Sequence, residues 1–219
     1  MITLEDIKKN PVIDTFIRKG NEYLGAMGYT EHSYRHLNLV SSIAKNILTR
    51  LGYDNREAEL ASIAGYLHDI GNVISRNDHG NSGATVCCPI LLQMGMSPNE
   101  VATVISAIAN HEEEYGQPVN NVAAALIMAD KSDVHRSRVR NQDIATFDIH
   151  DRVNYAVEHS FLWVDNERRA ITMDLTIDIE ICPIMEYFEI FLSRMVLCRR
   201  AAVFLNSNFE LVVNGSRLL

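Results

Sequence analysis

The chain has 219 residues, 47% hydrophobic and 22% charged. This globular balance excludes wholesale disorder and collagen-like or linker composition. Gly and Pro are sparse, at 11 and 5, which argues against a many-turned β-sandwich, and the formal net charge of −8 supplies no basic face for general nucleic-acid binding. Eight His stand out in this acidic composition. Cys87, Cys88, Cys182 and Cys198 form no C-x-x-C pair and read as buried free thiols. The start, MITLEDIKKN, lacks a basic stretch followed by an apolar one. No apolar run approaches the roughly 20 residues that span a bilayer. The expectation is a cytoplasmic protein with no membrane partner.

In chain order, helical spacing of Leu4, Ile7, Ile13, Phe16 and Ile17 predicts helices over 3–9 and 11–25, the second opened by Pro11. A long helix is expected over 31–51, with Leu37, Val40, Ile43, Ala44, Ile47 and Leu51 on one stripe and Gly52 as its stop. Asp54 with Glu57 resembles a capping box for a helix running to Asp69. Helices follow over 81–94 and 98–112, the latter capped by Ser97 with Glu100. The apolar run from Val122 to Ala129 predicts a helix over 121–131 that is buried on most sides, and a short helix is expected at 149–157. Residues 159–178 then alternate with period two around Asp165–Arg168, a hairpin signal. Pro183 opens an amphipathic helix to Leu205, and Phe209–Val213 reads as a last strand. The expected architecture is mainly α, a helical domain over 1–145 with a small β-β-α-β subdomain over 146–219. Strands this short make no stable sheet alone. They must pack on the helices or pair with a second chain, so a homodimer built partly through them is expected.

Two His precede Asp directly, at 68–69 and 150–151. The second pair lies in a charged helix start and reads as surface. The first closes an apolar helix, YLHDIG, where a buried imidazole and carboxylate are costly without partners. His36 is placed on the polar side of the long helix, away from its Val40–Ile47 stripe. His79 and His111 fall at a helix start and a helix end, and Asp130 closes the otherwise apolar VAAALIMAD. Imidazoles and carboxylates at the ends of several apolar helices suit a divalent transition-metal site.

The order His36, His68-Asp69, Asp130 resembles the H…HD…D signature of the HD superfamily of metal-dependent phosphohydrolases. HSYRHLNLVSSIAKNI is similar to its first helix, YLHDIGN to its second, and MADKSD to its closing Asp segment. DHGNSGA and AIANHEEE resemble the segments that carry extra ligands in the two-metal branch. The resemblance covers about residues 25–140 and leaves out the tail. Asn72 stands where many members carry Lys after HDIG. The resemblance implies a helical HD bundle in which His36, His68, Asp69 and Asp130 bind one metal. Asp69 would bridge to a second held by His79 and His111. His32, one helical turn before His36, is then a substrate contact, an outer partner of the site or a surface residue.

The chemistry so implied is hydrolysis of a small phosphate ester, such as a nucleotide, by a metal-activated water, with Asp69 as the catalytic bridge. Two divalent ions bind a phosphoryl group and lower the pKa of a bound water toward ~7. The ions would be Fe, Mn, Co, Ni or Zn, as availability decides. Lys131 and Arg136, which follow Asp130 by one and six positions, are candidate phosphate contacts beside His32. Arg138 and Arg140 could hold phosphate too or form a solvated helix face, and Glu112–Glu114 read mostly as solvated charge, with one of them a candidate outer partner of the site. Two other classes use the same ligands: an HD-fold di-iron oxygenase resembling myo-inositol oxygenase, and a non-catalytic metal-stabilised sensing or interaction module. No nucleic-acid polymer is expected as partner.

Overall fold

A computed structural model describes residues 1–219. Local capping chemistry sets the helix boundaries. Thr3 and Asp6 form a capping box for α1 (Leu4–Lys8), and Asn10 caps α2 (Pro11–Ala26), whose Pro11 costs no hydrogen bond in the first turn. Ser33 caps α3 (Tyr34–Arg50). The helix therefore starts three residues later than its apolar spacing suggests, and His32 precedes it rather than sharing a helical face with His36. Asp54 caps α4 (Asn55–Leu67) through the Arg56 N–H. Glu57 does not close a box there but accepts from Asn121. A 3₁₀ turn over Ile70–Val73 follows, then α5 (His79–Gln93), α6 (Pro98–Ala109) and α7 (Asn121–Ser132).

The α7 helix is the axis of the bundle. Val122 to Ala129 are fully buried because α3, α4, α6 and α9 (Ile184–Phe204) surround it. This explains an apolar run with no polar face. The α3 and α4 helices approach so closely that a Cβ on Gly65 would lie 2.8 Å from Ser41 Cα, and Ser41 Oγ donates to Ser62 O across the contact.

After α8 (Ile149–Ala156) the chain forms β1 (Val157–Asp165) and β2 (Ala170–Ile177), an antiparallel hairpin. The α9 helix crosses over to β3 (Asn208–Val213), which pairs parallel with β2 from Ala170↔Asn208 to Leu175↔Val213. A short β4 (Ser216–Arg217), absent from the sequence reading, completes a mixed sheet of order β1-β2-β3-β4. Its turn is Asn214–Gly215, both with positive φ, as a tight hairpin turn requires. Ile171, Met173 and Leu175 of β2 and Leu211 of β3 join the same buried apolar cluster as the bundle. The α9 helix packs on α7 on one side and on β3 on the other. No helix is long and apolar enough to cross a membrane.

Candidate metal centre

The candidate ligands gather at one end of the bundle because each terminates or opens an element. His36 lies in the first turn of α3, His68 caps the end of α4, and Asp69 opens the 3₁₀ turn. His79 is the first residue of α5, His111 follows α6 by two positions, and Asp130 lies in the last turn of α7. The four His are buried. His36 is fully so, on the same row as Val40 and Ala44, and faces inward rather than away from the apolar stripe.

Their donor atoms form two sets that meet at Asp69. His36 Nε2 lies 3.2 Å from His68 Nε2, 3.4 Å from Asp69 Oδ2 and 3.4 Å from Asp130 Oδ1. His68 Nε2 lies 3.3 Å from Asp69 Oδ2 and 3.5 Å from Asp130 Oδ1. In the second set His79 Nε2 is 3.1 Å from His111 Nε2 and 3.2 Å from Asp69 Oδ1. Two clusters with metal-binding spacing, His36/His68/Asp130 and His68/Asp69/His111, result.

The opposite ring nitrogens explain this orientation. His68 Nδ1 donates to Gly65 O (2.8 Å), His111 Nδ1 to Ile108 O (2.6 Å) and His79 Nδ1 to Arg76 O (3.1 Å). All three use the carbonyl three residues earlier. For His68 and His111 that carbonyl lies in the last turn of a helix, where it has no intrahelical partner. A carbonyl can only accept, so Nδ1 carries a proton and Nε2 is the atom aimed inward. His36 obtains the same result from Asp133, whose Oδ2 accepts its Nδ1–H at 2.7 Å.

The array demands positive charge. Asp69 Oδ2 is buried with no hydrogen-bond partner, an expensive state for a carboxylate oxygen. Burial works against a charged His68, but Asp69 and Asp130 outweigh it and hold the imidazole up at about 10. Burial together with the His79 and His68 cations pushes His111 down to about 3, which keeps its lone pair free. Burial alone would raise Asp130; the adjacent Lys131 ammonium and the His36 and His68 rings hold it well below the usual carboxylate range. The donor set of imidazole nitrogens and carboxylate oxygens suits a divalent transition ion.

Asp69, His79, His111 and Asp130 line a cavity of about 450 Å³ that His32, Arg76, Lys131, Arg138 and Arg194 also reach, while His36 and His68 lie buried behind them. Lys131 is buried, with Nζ 2.7 Å from Asp130 Oδ2 and 2.6 Å from Glu113 Oε2. It occupies one Asp130 oxygen and turns the other toward His36 and His68. His32 is buried edge-on to His36, its Nδ1 on Thr30 O. Arg136 does not reach the cavity: it pairs with Glu158 at 3.0 Å and stacks on Tyr155. Arg138 forms no solvated helix face; it is buried at the cavity wall and donates to Glu31 O and Asp133 O.

Glu112 is no solvated charge either; it accepts the Gly80 N–H at 2.6 Å and approaches His79 Nδ1 at 3.1 Å. Asn72 donates to Asp69 Oδ1 at 3.0 Å, so at this position the chain holds the bridging carboxylate. Asp133 escaped sequence reading, although its place one turn beyond Asp130 was a usable signal. Asp133→Ala is expected to leave the buried His36 and Arg138 without their carboxylate. A cost of about 3 kcal/mol follows, or a Tm lower by roughly 6–12 °C in a chain of this size. Calorimetric melting checks this; a Tm within 2 °C of wild type would rule it out.

A helical bundle on which His and Asp side chains converge from the ends of six elements, with spacing that could hold a metal, defines a class of helical domain. The model of one family, described as HD domain, matches residues 29–152, more than half of the chain. The chain belongs to the HD domain family. It is similar to Ribonuclease Y of Lawsonia intracellularis (strain PHE/MN1-00), with 31% identity over 102 residues, 47% of this chain and 18% of that protein. The chain thus spans about a fifth of that relative's length. A solved structure described as a predicted HD superfamily hydrolase from an uncultured Thermotogales bacterium shares 27% identity. The match covers 57% of this chain and 67% of that one, with a TM-score of 0.45. The family match ends within α8, before the sheet and α9.

Proposed function

We propose that the chain is a metal-dependent phosphohydrolase that acts on a small phosphate ester, a nucleotide being the size its cavity suits. The observation that carries this is Asp69, a buried carboxylate whose two oxygens face two separate sets of imidazoles. His36, His68 and Asp130 would hold one divalent ion with Asp69 Oδ2, and His79 and His111 a second with Asp69 Oδ1. Two such ions supply charge neutralisation at the phosphoryl oxygens and a hydroxide nucleophile at neutral pH.

The chain's own residues fix the stage. Asp133 and the three backbone carbonyls lock the rings. Lys131 occupies one Asp130 oxygen and leaves the other to face the imidazoles. Because His32 gives its Nδ1–H to Thr30 O, its Nε2 is the atom left to meet a substrate. The cavity volume lies in the ordinary range for small-molecule sites.

The test is elemental analysis of the purified chain, then turnover of phosphomonoesters and nucleotides with Mn, Fe, Co or Ni. Two metals per chain with release of inorganic phosphate are expected. No turnover with any of the four ions would overturn the reading, and iron-dependent oxygen consumption would replace it with an oxygenase.

A further inference from the structure

The α9 helix lies beyond the stretch that matches the HD domain, yet one of its side chains lines the cavity. Arg194 Nε donates to Glu113 Oε1 at 3.0 Å, and its guanidinium stacks 4.2 Å from the centre of the Phe191 ring. Its two Nη groups donate to nothing in the protein. Glu113 passes its other oxygen to Lys131, and Lys131 reaches Asp130. Arg194, Glu113, Lys131 and Asp130 therefore form a chain of alternating charge that starts at the metal centre and ends on a guanidinium at the cavity wall.

Two other cations of the cavity are committed, and a third, Arg76, sits against a ligand ring. Lys131 is shared by two carboxylates, and all three Arg138 nitrogens donate to backbone carbonyls. Arg76 stands over Tyr29 and against His79, within the second ligand set. Arg194 combines a position fixed by an ion pair with a free donor edge on the far side of three ion pairs from the ligand Asp130. A planar guanidinium edge matches a phosphate or carboxylate bidentately. Glu113 and Phe191 have already ordered the side chain, so binding loses little further entropy.

We propose that Arg194 is a specificity-determining residue: its Nη edge binds a second anionic group of the substrate while the metal centre holds the reacting phosphoryl. The substrate class narrows to phosphate esters that carry a further phosphate or carboxylate. This rests on the phosphohydrolase reading. The bland alternative is a strut that pins α9 to Glu113.

The experiment titrates the full-length, metal-loaded chain calorimetrically with inorganic phosphate and with pyrophosphate. Wild type is expected to prefer pyrophosphate. Arg194→Gln should cut that preference about tenfold or more, the loss of one hydrogen-bonded charge pair. Arg194→Lys, which keeps the charge but not the fork, should fall between them. Melting temperature and bound metal are recorded for each variant, and Arg194→Lys carries the comparison if the Gln variant melts low. Equal affinity of wild type for the two anions would overturn the proposal. So would an unchanged preference in the variants, or an equal loss for both anions, the mark of a strut. If wild type prefers pyrophosphate but hydrolyses no ester, the phosphohydrolase reading fails while the Arg194 comparison still stands on affinity. Binding of neither anion would sink both.

Discussion

Asp69→Asn is expected to hold the fold and lose the centre: metal content should fall below two per chain, and turnover by on the order of 10³-fold or more. The substitution is isosteric, and the amide can still accept from Asn72, so the Tm of the metal-free chain should change little. What the amide cannot do is present an anionic oxygen to each ligand set. One of its two positions becomes an NH₂ that points a proton at an imidazole lone pair, either His79 Nε2, 3.2 Å from Oδ1, or His36 and His68, 3.4 and 3.3 Å from Oδ2. Elemental analysis and turnover on the same preparation decide it. A variant that keeps two metals and more than a tenth of the activity would remove Asp69 from the bridge.

The convergence of six elements on one small volume has a simple physical origin. A helix end leaves carbonyls without partners, and an imidazole placed just beyond it can take one of them with its Nδ1–H. Gly65 O and Ile108 O serve His68 and His111 in this way. The same hydrogen bond that satisfies the helix end fixes the ring and aims Nε2 at the centre. A ligand at a helix terminus is thus held by backbone that the fold orders in any case, which is firmer support than a loop gives.

That logic also marks what could be read from residues alone. The helices were legible because caps and apolar stripes are local signals, and the ligands because a His or Asp at the end of an apolar run is conspicuous. The inward face of His36 was not, since the group that makes its burial tolerable, Asp133, lies 97 residues away. In runs such as Glu112–Glu114 and Arg136–Arg140, a string of letters does not separate site residues from solvated charge. Only the fold sorts them, bringing Glu112, Glu113 and Arg138 into the site and leaving Arg136 on Glu158. Arg194 interrupts an apolar helix remote in sequence from every ligand, so nothing local tied it to the cavity. The last hairpin was missed for a different reason: its Asn-Gly turn is a strong signal, but the strand after it has only two residues.

Gly71→Ala should be among the most damaging single changes in the chain. Gly71 sits in the 3₁₀ turn between Asp69 and α5, and a Cβ there would lie 2.0 Å from His79 O and 2.5 Å from Gly83 N. Both are backbone atoms of α5, so no side chain can swing aside; the N-terminus of the helix that carries His79 must move. Overpacking of this kind costs about 3 kcal/mol or more, roughly 6–12 °C in Tm for a domain of this size. The displaced helix takes His79 out of register with His111 and Asp69, so affinity for a second metal should drop about 10–100-fold, as when the support of a ligand is lost. The first set, on α3, α4 and α7, does not depend on α5 and should still bind one ion. Gly25→Ala is the control: its new Cβ would meet only the mobile end of Arg140 at 3.2 Å, and its Tm should stay within about 2 °C of wild type. Melting curves and metal stoichiometry on the two variants give the answer. Equal behaviour of the pair, or two tightly held metals in Gly71→Ala, would mean that the close approach of the 3₁₀ turn to α5 does not position His79.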